Sequence, residues 1–150
     1  MRIIIAGTRD FDDYQLLERK CKEILESLCT CCDDFKEHFE IVSGCAKGAD
    51  TLGEAFAHRY KIPVKKCPAQ WDNITEPPVF IKTGPRGNKY NALAGKVRNE
   101  QMAIYASQKG FDDGALIAFW DGKSSGTKNM IDLADKYGIQ KFIINYKENI

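Results

Sequence analysis

The chain has 150 residues, 43% of them hydrophobic and 11% aromatic, which is enough for one domain with a buried core and short for two. Its 22 basic and 21 acidic side chains leave a formal net charge of +1, so no overall field draws it to nucleic acid or an anionic membrane. No apolar run approaches the roughly 18 to 20 residues of a membrane span, and the first residues lead into a glycine loop too early for a signal peptide. We therefore expect a single cytoplasmic domain over residues 1–150.

Six cysteines are present, three of them crowded together as Cys29, Cys31 and Cys32. In a cytoplasmic chain free thiols are favoured over disulfides. A structural zinc site would need a second pair of ligands, and neither His38 nor His58 has the required spacing. We therefore expect no bound metal and assign the cysteine cluster no role.

Short apolar segments alternate along the chain with longer segments of helical period, which is typical of βα units that build a parallel sheet. In chain order the predicted strands are Arg2–Ala6, Phe39–Ser43, Val64–Cys67, Ala115–Trp120 and Lys141–Asn145. The first, fourth and fifth lack strict alternation, which predicts burial on both faces. The fold class is thus α/β: a three-layer, Rossmann-like, doubly wound sheet of about five mainly parallel strands, in the order 3-2-1-4-5.

Helices are predicted between these strands wherever apolar residues recur at helical spacing. They lie around residues 14–28, 52–60, 97–105 and 130–134, and Gly138 is placed to end the last one. The stretch from Trp71 to Asn91 fits no element. It is rich in proline and glycine and carries Lys82, Arg86 and Lys89, and such a long loop in a compact domain is usually functional or mobile.

Three small, polar loops follow predicted strands and lead directly into helices. They are Gly7-Thr8-Arg9-Asp10-Phe11, Ser43-Gly44-Cys45-Ala46-Lys47-Gly48-Ala49-Asp50 and Asp121-Gly122-Lys123-Ser124-Ser125-Gly126-Thr127. Each alone could be an ordinary tight turn with a helix cap. Because the carboxyl ends of parallel strands meet at one sheet edge, three such loops together favour a pocket for phosphate and ribose.

The residues expected to contact this ligand are Gly7, Thr8, Arg9, Ser43, Gly44, Lys47, Gly48, Asp50, Trp71, Arg98, Asn99, Gly122, Ser124, Ser125, Gly126 and Thr127. Arg98 would neutralise phosphate, Asn99 would read a base or ribose edge, and Trp71 would stack on a base. Glu100 is the candidate general base. Asp50 either contacts the ligand or satisfies free N–H groups at the start of its helix.

Several enzyme classes are excluded by their motifs. The first loop has one glycine where a dinucleotide fingerprint needs G-x-G-x-x-G, and no P-loop G-x-x-x-x-G-K-[ST] exists. Residues 122–126 match G-x-S-x-G, but a serine hydrolase needs a histidine downstream, and both histidines lie upstream.

Together with Ala94-Gly95 to Met102, the three loops resemble the SLOG superfamily of Rossmann-like domains, and more closely its YspA-like branch. The resemblance implies a domain that senses or processes nucleotide-derived ligands, and its relatives imply a homodimer. The Lonely-Guy-type phosphoribohydrolases carry a glutamate where this chain has Met130, so Glu100 would have to replace it. The DNA-processing protein DprA has a loop similar to Ser43–Asp50.

Three functions follow from these observations. The leading hypothesis is a module that binds or senses a nucleotide or nucleotide-derived small molecule, such as a nucleoside phosphate or an ADP-ribose-like compound, with no further cofactor. The alternative is an enzyme that cleaves the N-glycosidic bond of such a ligand, with Glu100 or Asp50 assisting loss of the base. A weaker alternative is DprA-like binding of single-stranded DNA, which the near-neutral charge does not favour.

Overall fold

A parallel five-stranded sheet forms the centre of the computed structural model, which describes residues 1–29, 34–108 and 114–147. The strands of the chain are β1 (Arg2–Gly7), β2 (Glu40–Ser43), β3 (Val64–Lys66), β4 (Ile81–Thr83), β5 (Lys89–Asn91), β6 (Gly114–Trp120) and β7 (Gln140–Asn145). The sheet order is β3-β2-β1-β6-β7, and every neighbouring pair in it is parallel. The predicted order 3-2-1-4-5 is confirmed, with β6 and β7 as the fourth and fifth predicted strands.

Helices cover both faces of this sheet and complete the three layers. They are α1 (Tyr14–Leu28), α2 (Phe35–His38), α3 (Ala49–Arg59), α4 (Ala94–Ser107) and α5 (Ser125–Lys136). Successive β1 side chains point to opposite faces. Ile3 and Ile5 pack with α1 and α3, whereas Ile4 and Ala6 pack with α4 and α5. The predicted doubly wound Rossmann-like fold is confirmed.

The strands differ in burial according to their place in the sheet. β1 and β6 lie at the centre and are buried almost throughout, as their apolar runs predict. The prediction of two-sided burial is wrong for β7, where Gln140, Lys141 and Ile143 are exposed. β7 is an edge strand, so it has one neighbouring strand and less helical cover.

Two small elements were not predicted. β4 and β5 pair antiparallel as a hairpin within the stretch 71–91, which the sequence indicated to be a loop throughout. The hairpin is held by Asn91, whose side chain accepts the N–H of Phe80 and donates to the carbonyl of Pro78. The short helix α2 lies just before β2.

The last helix ends at Lys136, and Gly138 follows its end as predicted. Gly138 has a φ of 70° and donates its N–H to the backbone carbonyl of Asp135. The N–H of Ile139 donates to the backbone carbonyl of Ala134, and the two bonds together form a Schellman motif. Cys29 is disulfide-bonded, so the expectation of free thiols is wrong for this residue. Cys31 and Cys32 lie outside the described residues. No helix in the described ranges has both the length and the apolar character to span a membrane.

Candidate functional site

A cavity of about 510 Å³ opens at the carboxyl ends of β1 and β6, where parallel α/β sheets usually bind ligands. The predicted site residues that line it are Gly7, Thr8, Arg9, Asp50, Trp71, Arg98, Asn99, Ser124, Ser125, Gly126 and Thr127. They come from five separate segments of the chain. The structure therefore brings together most of the residues that the sequence singled out, and we call this space the main cavity.

The loop after β1 is fastened to the loop after β6. The N–H of Thr8 donates to the carbonyl of Phe119 at 2.9 Å, and Thr8 Oγ1 accepts the N–H of Asp121 at 3.2 Å. Gly7 is required for this close approach, because a Cβ there would lie 2.3 Å from the Phe119 carbonyl oxygen. Arg9 lies exposed at the rim, with its guanidinium 5.9 Å from the ring centroid of Trp71.

The loop after β6 leaves the start of α5 open to the main cavity. Asp121 Oδ1 accepts the N–H groups of Lys123 and Ser124, and these bonds lower the pKa of Asp121. The side chain of Ser124 makes no capping hydrogen bond, and the first backbone bond of α5 runs from Lys128 to Ser124. The N–H groups of the first helical turn therefore lie before the start of the backbone ladder and carry partial positive charge.

Gly126 lies in this first turn and has no structural need to be glycine. A Cβ placed there would meet no atom within 4 Å, and Gly126 lines the main cavity. Glycine is unfavourable in a helix compared with alanine. Its absence of a side chain lets a ligand approach the α5 backbone closely.

Arg98 is the most deeply buried cation of the site, with 9% of its surface exposed. Its Nη1 donates to the Gly44 carbonyl at 2.5 Å, and its Nε donates to Asn99 Oδ1 at 2.9 Å. Among the eight ion pairs found in the described part of the chain, none includes Arg98. Burial lowers the pKa of this guanidinium, against the raising effect of the nearby Asp50.

Asn99 connects α4 to α5. Its Nδ2 donates to the Gly126 carbonyl at 3.2 Å and to Asn129 Oδ1 at 3.0 Å, while its Oδ1 accepts from Arg98. The side chain of Asn99 is thus occupied in orienting Arg98 and the α5 start. Its presence in the second turn of α4 is explained by these contacts, since Asn is a weak helix former.

Asp50 lies in the wall of the main cavity with 5% of its surface exposed. Its Oδ2 accepts the N–H of Ala46 at 3.2 Å. Burial raises the pKa of Asp50 from 3.8 to about 6, against the lowering effects of the Ala46 N–H and of Arg98. Asp50 is therefore a carboxyl that can exchange a proton near neutral pH close to the Arg98 guanidinium, with which it makes no ion pair.

The loop after β2 uses its polar groups internally. Ser43 Oγ donates to Glu54 at 2.8 Å and accepts the N–H of Cys45 at 3.1 Å. A Cβ at Gly44 would lie 2.6 Å from Arg98 Nη1, and Gly48 has a φ of 91°. Among the described residues, Ser43 and Gly48 do not line the main cavity, and their structural roles account for them.

Gly44 and Lys47 lie beside a second space of about 370 Å³, which we call the side cavity. It shares Arg9, Ala46, Trp71 and Arg98 with the main cavity. Gly122 lines neither space, and its φ of 82° shows that it is needed for the turn before α5.

Glu100, the candidate general base, also lies outside both cavities. It accepts hydrogen bonds from the hydroxyl of Tyr137 at 2.6 Å and from Lys136 Nζ at 3.3 Å, and these partners lower its pKa. Glu100 therefore joins α4 to the end of α5 and lies outside the cavities that the other predicted residues line.

Other lining residues were not predicted: Ala6, Asp10, Ala46, Ala92, Gly95, Lys96, Met102, Asp121, Asn129 and Met130. Asn129 could have been found, because it lies one helical turn after Ser125 and so shares its face of α5. Met102 and Met130 gave only the signal of core residues, and both are nearly fully buried. Across the described ranges, no three His, Cys, Asp or Glu side chains gather as metal ligands would.

Comparison with known proteins agrees with this geometry. Residues 1–73 match the YAcAr family, described as the YspA, cpYpsA-related SLOG family. Over this stretch, just under half of the chain, the sequence is similar to the YspA-like branch of the SLOG superfamily. The match contains the loops after β1 and β2, and it confirms the family inferred from the motifs. Similarity to this family indicates a role in binding or processing nucleotide-related ligands. No curated protein and no solved structure matches the chain.

Proposed function

We propose that the main cavity binds a nucleotide or a nucleotide-derived small molecule, and that the protein acts as a binding or sensing module. The observation that carries this proposal is Arg98, a buried guanidinium that lines the cavity without an ion pair. A buried charge that makes no ion pair is costly, and an anionic ligand would supply the opposite charge. The uncapped start of α5 lines the same cavity and is a second source of positive potential for phosphate.

The remaining wall suits a sugar and a base. Trp71, 38% exposed, lines the cavity, and its ring lies against Gly95 at the start of α4. An indole at a cavity rim offers a flat face for a base. A few placed polar groups in a partly apolar pocket are typical of sites for small molecules.

Calorimetric titration with nucleosides, nucleoside monophosphates, nucleoside diphosphates and ADP-ribose tests the proposal. We expect at least one phosphorylated compound to bind and its parent nucleoside to bind at least tenfold more weakly. Arg98→Met should weaken binding at least a hundredfold. Lys128→Gln is the control, because Lys128 pairs with Asp132 on the outer face of α5 and should bind like the wild type. If the whole panel fails to bind the wild type, the proposal is wrong.

A second candidate, N-glycosidic hydrolysis of the bound nucleotide, is favoured by Asp50 alone. Its raised pKa keeps a fraction of the carboxyl protonated near neutral pH inside the main cavity, where it could protonate a departing base. Chromatography of a nucleoside monophosphate or ADP-ribose after incubation would show the free base. Base release that disappears in Asp50→Asn while binding persists would establish the enzyme, and absence of release would leave the binding module.

A further inference from the structure

The side cavity differs from the main cavity in its charge. Three cations line it, namely Arg9, Lys47 and Arg98, and among the described residues of its wall there is no acidic side chain. The main cavity has Arg9, Arg98 and Lys96, but these are opposed by Asp10, Asp50 and Asp121. The positive charge of this end of the molecule is therefore least opposed in the side cavity.

These cations are also free of ion pairs. No ion pair in the described part of the chain includes Arg9 or Lys47. The backbone on both sides of Lys47 is well packed. The Ala46 N–H donates to Asp50, and Gly48 lies so close to the loop after β1 that a Cβ there would be 2.5 Å from the Thr8 carbonyl oxygen. The Lys47 side chain is exposed at the mouth of the side cavity. Its ammonium group is thus presented by an ordered loop while its charge remains available.

The two cavities are contiguous. Arg9, Trp71 and Arg98 each line both of them, so the two cavities adjoin each other at these three side chains. A phosphate at the α5 start would be neutralised from one side by Arg98. A second anionic group on the same ligand could extend into the side cavity and meet Arg9 and Lys47.

We propose that the side cavity is a second anion subsite, and that the ligand is a nucleotide with two phosphate groups, one at the α5 start and one between Arg9 and Lys47. This inference rests on the proposed function of the main cavity. The second phosphate can belong to a diphosphate chain or stand on the ribose, because both place a further anion within one small molecule. Each cavity lies in the size range of small-molecule sites, which is about 300–1,000 Å³.

The test compares ligands that differ only in the second phosphate. Adenosine, AMP, ADP and adenosine 3′,5′-bisphosphate, with the guanosine series beside them, are titrated into the full chain by calorimetry. We expect ADP or the bisphosphate to bind at least tenfold more tightly than AMP, and the preferred one identifies where the second phosphate is attached. Lys47→Gln should reduce this preference to about one. Lys128→Gln makes the same change of net charge outside both cavities and should preserve the preference.

The outcomes separate the two proposals. Equal affinity for AMP and for both two-phosphate ligands, or an unchanged preference in Lys47→Gln, would overturn the subsite while leaving nucleotide binding intact. Failure of every compound to bind would overturn the function of the main cavity and the subsite with it. Because Lys47 is exposed and makes no ion pair, we expect Lys47→Gln to fold normally, and its unfolding midpoint verifies this.

Discussion

The loops after β2 and β6 have similar compositions but differ in how their polar groups are used. Both join a buried strand to a helix through glycine and small polar residues, and both fit a phosphate cradle. In the first loop, Ser43 and Asp50 bind backbone N–H groups of the loop itself, and the Gly44 carbonyl accepts from Arg98. In the second, the start of α5 remains uncapped and faces the main cavity. The difference shows that one loop shapes the site whereas the other offers its backbone to a ligand.

The substitution Gly44→Ala, in the loop after β2, is expected to lower stability the most. A Cβ would lie 2.6 Å from Arg98 Nη1 and 2.7 Å from Asp50 Oδ2, and neither neighbour can move without losing its hydrogen bond. We expect the free energy of unfolding to fall by about 3 kcal/mol, which is the cost of overpacking a dense region. Urea denaturation measures it. A loss below about 0.5 kcal/mol would mean that this loop is not tightly packed around Arg98.

Asp50, in the same loop, should make the stability of the protein depend on pH. Asp50 binds its proton more tightly in the folded protein, where its pKa is about 6, than at the ordinary value of 3.8. The stability that comes from this proton is therefore fully present below about pH 4 and is lost as the pH rises through 6. The full loss is on the order of 3 kcal/mol, since one pKa unit corresponds to about 1.4 kcal/mol, and most of it falls between pH 4 and pH 7.

Asp50→Asn isolates this titration, because the amide keeps an oxygen for the Ala46 N–H and carries no charge. We expect its free energy of unfolding, relative to the wild type, to increase by about 2 kcal/mol between pH 4 and pH 7. Asp132→Asn, at an exposed carboxylate of α5, is the control and should show no such trend. Parallel pH profiles for wild type and Asp50→Asn would contradict the burial of this charge.

Gly126, at the end of the loop after β6, should respond differently from Gly44. Gly126→Ala meets open space, so the fold should be unharmed and gain about 0.5 kcal/mol from the better helix former. The new methyl group would stand in the main cavity, where we expect it to weaken nucleotide binding about tenfold. Calorimetry with the best ligand of the wild type measures it. Undiminished affinity would show that the ligand does not approach the α5 backbone.

Comparison with the sequence shows which features were predictable. The centre of the sheet was predicted to within a residue at β1 and β6, because long apolar strands bury both faces and leave a clear signal. The hairpin β4–β5 was missed because its strands have three residues each and are mostly exposed, so no periodicity marks them. The prediction that β7 is buried on both faces was wrong, because the composition of a strand does not reveal that it lies at the sheet edge.

The site was predictable as a location and less so in its details. The rule that ligands bind at the carboxyl edge of a parallel sheet brought Arg9, Arg98 and Ser125 correctly to one cavity. The sequence could not distinguish Gly44 from Gly126, because whether a glycine faces a neighbour or a cavity depends on contacts between distant segments. The sequence placed Glu100 in the site for a similar reason, although it lines neither cavity. It adjoins Asn99 in the chain, but neighbouring residues of a helix point about 100° apart, and Glu100 faces Tyr137.

The smallest effect distinguishes the two loops at their serines. Ser43→Ala removes the acceptor of the Cys45 N–H and a donor to Glu54, so we expect a loss of about 1 kcal/mol in unfolding free energy. Nucleotide affinity should stay within twofold, since Ser43 does not line the main cavity. Ser125→Ala should do the reverse: stability within about 0.5 kcal/mol of the wild type, because the side chain is exposed, and weaker binding at the α5 start. If Ser43→Ala weakens binding more than Ser125→Ala does, the ligand contacts the Ser43 end of the loop after β2, and the purely structural role given to Ser43 is wrong.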